Sequence, residues 1–165
     1  MNSLLWAPAY IALGSNLDDP RLQIEHGFAA LATLPDTRLV ARSRLYASKP
    51  LGSVVQPDVV NAAAGLLTQL LPHDLLRALK RLETQLGRAA PIERWGPRRI
   101  DFDLLVYADT RIDETDLTIP HPGIPDRNFV LYPLAEIAPD LLIPGMGVVR
   151  ALATRASAEG LQVLH

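Results

Sequence analysis

Glu93-Arg94-Trp95-Gly96-Pro97-Arg98-Arg99-Ile100-Asp101-Phe102-Asp103-Leu104-Leu105-Val106-Tyr107 runs from a basic loop, broken by glycine and proline, into an apolar stretch carrying two carboxylates. That stretch has the two-residue period of a β-strand. Ile100, Phe102, Leu104 and Val106 fall on one face, while Asp101, Asp103, Leu105 and Tyr107 fall on the other. The first face is core, so the aspartates stand side by side with Cα atoms roughly 7 Å apart. Two like charges so placed repel each other unless a cation or an arginine lies between them. Mg²⁺, which favours carboxylate and phosphate oxygens, suits that position. Arg88, Arg94, Arg98 and Arg99 supply guanidinium forks that match phosphate geometry and never deprotonate. Carboxylates, a divalent ion and arginines together read as polyphosphate handling. The alternative is that Asp101 and Asp103 simply pair with Arg98 and Arg99 on a solvated sheet face.

Working outward, Ala9 to Leu13 reads as a buried strand ended by the turn formers Gly14-Ser15-Asn16. Asp18 or Asp19 caps a helix with Pro20 at its first position, a stripe of Ile24, Phe28 and Leu31, and Pro35 as terminator. His26 is a surface residue of that helix. Arg38 to Ala47 alternates as one half-buried strand whose outer face carries Arg38, Arg42 and Arg44 into solvent. A further strand runs from Val59 to Thr68. Pro72 opens a long helix with Leu75, Leu79, Leu82 and Leu86 as its apolar stripe, Lys80 and Glu83 on its polar face, and Gly87 as terminator. His73, in its first turn, reads as structural.

After Tyr107 the sequence predicts a polar turn and a short strand at Leu117-Thr118-Ile119. Pro120 to Pro125 excludes regular structure and stiffens the loop that holds His121 and Arg127. Short helices follow at Pro133 to Ala138 and Val148 to Ser157, then an edge strand at Leu161 to Leu164 and a free terminal His165. The order strand, helix, strand, strand, helix, strand predicts an α+β fold, a ferredoxin-like antiparallel sheet with helices packed on its faces. Residues 1–165 read as a single domain.

Composition narrows the function classes. A formal net charge of -2 excludes attachment to nucleic acid or membrane by bulk electrostatics, so anion binding falls to the local arginine cluster. Only 5% of residues are aromatic, which argues against a base-stacking RNA surface. With no cysteine, no disulfide, thiolate nucleophile or zinc-thiolate site exists. No apolar run approaches the ~20 residues that span a bilayer, and a cytoplasmic monomer is expected. Neither G-x-x-x-x-G-K-[ST] nor G-x-G-x-x-G occurs, so ATP, if used, is gripped by arginine and metal. H-E-x-x-H and G-x-S-x-G are also absent.

The run Arg94-Trp95-Gly96-Pro97-Arg98 followed by Asp101-x-Asp103 resembles the signature of the 6-hydroxymethyl-7,8-dihydropterin pyrophosphokinase family. The likeness extends through Tyr10 to Leu17, Pro50-Leu51-Gly52, Gln56-Pro57-Asp58, Asn61-Ala62, Pro120-His121 and Pro133 to Pro139, spanning residues 8–145. This resemblance implies transfer of pyrophosphate from ATP to the hydroxymethyl group of a reduced pterin, with release of AMP, in folate synthesis. It implies that Asp101 and Asp103 hold two magnesium ions. Arg88 and Arg98 would contact the triphosphate, with His121 and Arg127 completing the grip. Glu83, Leu104, Leu117 and Thr118 would frame the adenosine part, and Trp95 would close over both substrates. Ser48, Leu51, Gly52, Asn61 and Phe129 would hold the pterin, with Asp101 beside its reacting arm.

Asn61 and Phe129 have blander readings, an amide bonded to a backbone carbonyl and a ring packed in the core. A ligand-sensing module without turnover is the alternative function class. Val59 stands where many family members have an aromatic residue, and Ala90 and Pro91 where basic residues are frequent.

Overall fold

The computed structural model describes residues 5–49, 58–87 and 99–165. The chain forms β1 (Ala7–Ser15), α1 (Pro20–Leu31), β2 (Thr37–Arg42), β3 (Leu45–Ser48), β4 (Val59–Thr68), α2 (Pro72–Gln85) and β5 (Asp101–Tyr107). Then come β6 (Ile112–Asp113), β7 (Thr118–Ile119), α3 (Asn128–Ile137), β8 (Leu142–Ile143), β9 (Gly147–Val148), α4 (Val149–Arg155) and β10 (Gln162–Leu164). The main sheet runs β10-β3-β4-β1-β5, with β2 also pairing β4, and these pairings are antiparallel. This is the expected ferredoxin-like order, with β1 and β4 at the centre.

Helices cover both faces. On one, Ile24, Phe28 and Leu31 of α1 and Leu75, Leu79 and Leu82 of α2 pack against Ile11, Leu13, Ile100, Phe102 and Leu104. On the other, Val130, Leu131 and Leu134 of α3 and Val149 and Leu152 of α4 pack with Leu105 and Val106. The Asp19 side chain caps α1 by accepting from Leu22 N–H, and Gly87, at φ 86°, terminates α2 in the left-handed region.

Several local expectations are corrected. β1 continues through Gly14 and Ser15, because β4 and β5 flank it on both edges as far as Gly14. The single strand from Arg38 to Ala47 is two, broken where Ser43 N–H donates to Ala63 carbonyl (2.9 Å) and Ser43 Oγ accepts from Ala63 N–H (2.8 Å). A hydroxyl thus takes the ladder position of a carbonyl. Arg38, Arg42 and Arg44 are exposed, as expected, and each also has a partner: Arg38 stacks 4.7 Å from the Trp6 ring centroid, Arg42 4.0 Å from that of Phe28, and Arg44 pairs with Glu136. α3 begins five residues before Pro133, which lies inside it. A single turn of 3-10 helix at Ile124–Asp126 interrupts the proline-rich loop. The hairpin of β8 and β9 was not expected. The His165 carbonyl is held by Arg21 Nη2 at 2.7 Å.

Candidate active site

Strand register assembles one row of the site. Gly14 of β1 lies opposite Asn61 of β4 on one side and Asp101 of β5 on the other, and Ala12 lies opposite Asp103. Residues directly opposite on neighbouring strands share a face. Asn61, Gly14 and Asp101 therefore form a line across the sheet, with the Cα atoms of Asn61 and Asp101 about 10 Å apart, two interstrand steps. This is the α3 side, opposite the core that takes Leu13 and Phe102. With Asp101 opposite Gly14 and Asp103 opposite Ala12, both expected carboxylates occupy the same side of the strand, Asp101 half-buried and Asp103 exposed.

The alternation fails beyond Leu104, and the failure builds the site. Ile11 pairs with Leu104 but Tyr10 with Val106, so Leu105 is an extra residue, a β-bulge. Leu105 and Val106 both turn toward α3, and Tyr107 turns to the α1–α2 core, reversing the faces expected for Val106 and Tyr107. The Leu105 carbonyl accepts from His121 N–H at 2.8 Å, tying the proline-rich loop beside the acids. Gly123 N–H donates to His121 Nδ1 (3.0 Å), so a neutral imidazole carries its proton on Nε2. Burial lowers the His121 pKa, Asp103 pulls it back up, and Arg127 lowers it further. Asp103, His121 and Arg127 thus act on one another electrostatically. Arg127 crosses over Gly123, where a Cβ would come within 2.7 Å of its guanidinium carbon.

At the other end of the row, Asn61 is only 5% exposed. Its Nδ2 lies 2.8 Å from Ser48 Oγ and 3.2 Å from both the Tyr46 and Val59 carbonyls. The carbonyl-bonded reading of this residue is therefore correct for its donor side. Among the described residues nothing donates to Oδ1, which faces Gly14. Phe129, near the start of α3, is half-buried against the same cluster as Ala12. Further along α3, Glu136 accepts from Arg44 N–H (2.8 Å), Arg44 Nε (3.2 Å) and Tyr46 O–H (2.5 Å), locking the helix to β3. This lock is not legible in the sequence, because Glu136 lies 90 and 92 residues from its partners.

Residues expected around adenosine gather at the outer edge of β5. Leu104 and Leu117 are buried in the α1–α2 core, and Thr118 is half-buried. Glu83 does not lie on the exposed polar face expected of it in α2: it is 2% exposed, and its Oε2 accepts the Phe102 N–H at 2.7 Å. Among the described residues β5 ends the sheet, so this N–H has no strand partner on that side, and the carboxylate satisfies it between Asp101 and Asp103. Arg99 turns away from those acids. Its guanidinium binds Asp18 Oδ2 (2.6 and 3.1 Å) and reaches the Gly87 carbonyl at 3.4 Å, while its own carbonyl accepts from Ser15 Oγ. The alternative pairing of the aspartates with Arg99 is thereby excluded. Leu51, Gly52, Arg88, Ala90, Pro91, Arg94, Trp95 and Arg98 lie outside the described residues. A group the sequence reading missed, His73, Glu114 and Asp116, brings its donor atoms within 4.8 Å of one another on the surface.

Fold and site together define a ferredoxin-like α+β protein with an acidic pair and a buried amide on one sheet face. The profile of the 7,8-dihydro-6-hydroxymethylpterin-pyrophosphokinase family matches residues 10–139. A 2-amino-4-hydroxy-6-hydroxymethyldihydropteridine pyrophosphokinase of Pseudomonas aeruginosa is 46% identical, covering 94% of this chain and 95% of its own. That of Haemophilus influenzae is also 46% identical, covering 87% and 89%. The wild-type HPPK-DHPS crystal structure from Plasmodium falciparum shares the fold with a TM-score of 0.73 at 14% identity. The match covers 94% of this chain and 45% of that one, so this chain spans under half of the solved protein. The chain belongs to the 7,8-dihydro-6-hydroxymethylpterin-pyrophosphokinase family.

Proposed function

We propose that this protein transfers the pyrophosphoryl group of ATP to the hydroxymethyl group of 6-hydroxymethyl-7,8-dihydropterin, releasing AMP, as a step of folate biosynthesis. The hydroxyl oxygen loses its proton to solvent and bonds to the β-phosphorus as the bond from that phosphorus to the α,β-bridging oxygen breaks, and AMP departs with that oxygen. The observation that carries the reading is the row Asn61, Gly14, Asp101, which sets a heterocycle-reading amide and a carboxylate pair on one face.

Two oxygen-donor side chains on one strand face fit Mg²⁺. Asp101 and Asp103 would hold the ions, which neutralise charge on the phosphate oxygens when bound. His121, neutral with its proton on Nε2, donates to a phosphate oxygen, and Arg127 adds a fixed positive charge beside it. Arg88, Arg98 and Trp95 are assigned to the triphosphate and to exclusion of water. Ser48, Leu51, Gly52, Asn61 and Phe129 are assigned to the pterin. Leu104, Leu117 and Thr118 back the adenosine side, and Glu83 holds β5 behind the acids. Residues 1–165 act as one domain and as a monomer in the cytoplasm. Among the described residues no helix is long and apolar enough to cross a membrane.

The test is magnesium-dependent formation of AMP from ATP when the pterin is added. Formation of ADP without AMP, or pterin binding without turnover, would contradict it.

A further inference from the structure

Gly14 lies inside the central strand, flanked by β4 and β5, where glycine costs conformational entropy and packs nothing. Among the described residues neither backbone conformation nor crowding requires it there. The described glycines with positive φ are Gly87, Gly145, Gly147 and Gly160. A Cβ at Gly14 would meet Val59 Cγ1 at 3.6 Å and Asn61 Oδ1 at 3.9 Å, ordinary van der Waals contacts. Gly65 of β4 differs, since a Cβ there would press on Ala41 Cβ at 3.3 Å, with the Tyr10 ring in ordinary contact at 3.5 Å. Packing therefore accounts for glycine at 65 and not at 14.

A second observation concerns the same space. Asn61 Oδ1 is aimed at it, and among the described residues no donor reaches that oxygen, although a buried acceptor left unmatched is costly. Asp101 stands on the far side of Gly14 on the same face. The gap over Gly14 is thus bounded by an acceptor in need of an N–H and by an acid of the pair.

We infer that Gly14 determines specificity for the acceptor substrate. Its missing side chain lets a planar, N–H-bearing heterocycle lie against the β1 backbone, one edge on Asn61 Oδ1 and its one-carbon arm directed at Asp101. The inference rests on the functional reading above. A methyl group at position 14 lifts the ring off the strand and shifts its arm relative to the acids, while the nucleotide, held from the other side, is undisturbed.

Gly14→Ala and Gly65→Ala are compared with the unaltered protein. Gly14→Ala keeps its Tm within about 2 °C and binds a non-hydrolysable ATP analogue with Mg²⁺ at unchanged affinity. Its kcat/KM for the pterin falls roughly 100-fold, the scale of a misplaced reactant, with KM rising. Gly65→Ala does the reverse, lowering Tm while each folded molecule keeps its kcat/KM. Unchanged kcat/KM in Gly14→Ala overturns the inference, as does a Tm that falls along with activity. Calorimetric binding of pterin to analogue-loaded protein separates the two readings. If the unaltered protein forms no AMP yet binds pterin more tightly than Gly14→Ala, the transfer reading fails and the Gly14 inference stands; equal binding by both overturns it.

Discussion

Leu13 and Gly14 are neighbours in β1, and Phe102 and Asp103 are neighbours in β5, yet each pair is divided between two regions with opposite characters. Leu13 and Phe102 enter a closed core under α1 and α2. Gly14 and Asp103 face the α3 side, where the covering helices leave Asp103 exposed and Asp101 half-buried. The same backbone therefore serves stability on one face and chemistry on the other, one residue apart. Rigid strands hold the site, and its polar groups do not interrupt the main core.

The largest effect that could break this comparison is expected from the acids. Asp101→Ala or Asp103→Ala should lower turnover on the order of 1,000-fold while Tm, followed by calorimetry, stays within about 2 °C. Removing one of two like charges relieves repulsion, so a small rise in Tm is consistent. Phe102→Ala should do the opposite, costing about 3–5 kcal/mol in urea unfolding through the cavity it leaves.

Glu83 sharpens the comparison because it joins the two regions at the edge of β5. Glu83→Ala strands the buried Phe102 N–H and should cost about 1–3 kcal/mol, with a higher magnesium requirement for turnover. Glu83→Gln keeps an acceptor and should recover most of the stability.

How much of this could be read from the sequence depended on whether the deciding interaction was local. The parity of Ile100 to Asp103 was legible because side-chain alternation is intrinsic to a strand, and so was the end of α2, because Gly87 supplies the left-handed residue itself. The faces of Val106 and Tyr107 were not, because the Leu105 bulge arises from pairing with β1 and from the His121 N–H. Glu83 followed the helical pattern of an exposed residue and was buried by a strand edge 19 residues away. The early start of α3 was hidden by Pro133, which reads as a helix opener although the turn before it is already formed. For the site, the motif made the acids legible, whereas the importance of Gly14 needed the register of three strands.

Glu136 gives a smaller, pH-dependent effect on the chemical side. Burial pushes its pKa up, but bonds from Tyr46 and from the Arg44 backbone and guanidinium bring it net below its ordinary value of 4.5. A carboxylate lowered on folding adds stability above its ordinary value and loses it as pH falls through the lowered one. Glu136→Gln should therefore be less stable than the parent at neutral pH, with the gap closing on acidification below 4.5 in pH-resolved melts. The Tyr46 phenol, pushed up to about 12 first by burial and then by Glu136, should titrate earlier in that variant. The smallest effect is expected at Asp18→Asn, which weakens a solvent-exposed pair with Arg99 and should cost under about 1 kcal/mol.

The most direct test of the division between faces is to measure AMP formation and thermal unfolding on the same preparation of Asp103→Ala. Lost AMP formation with an unmoved melting curve is the predicted result. A lowered melting temperature, or AMP formed at the parental rate, would contradict the account.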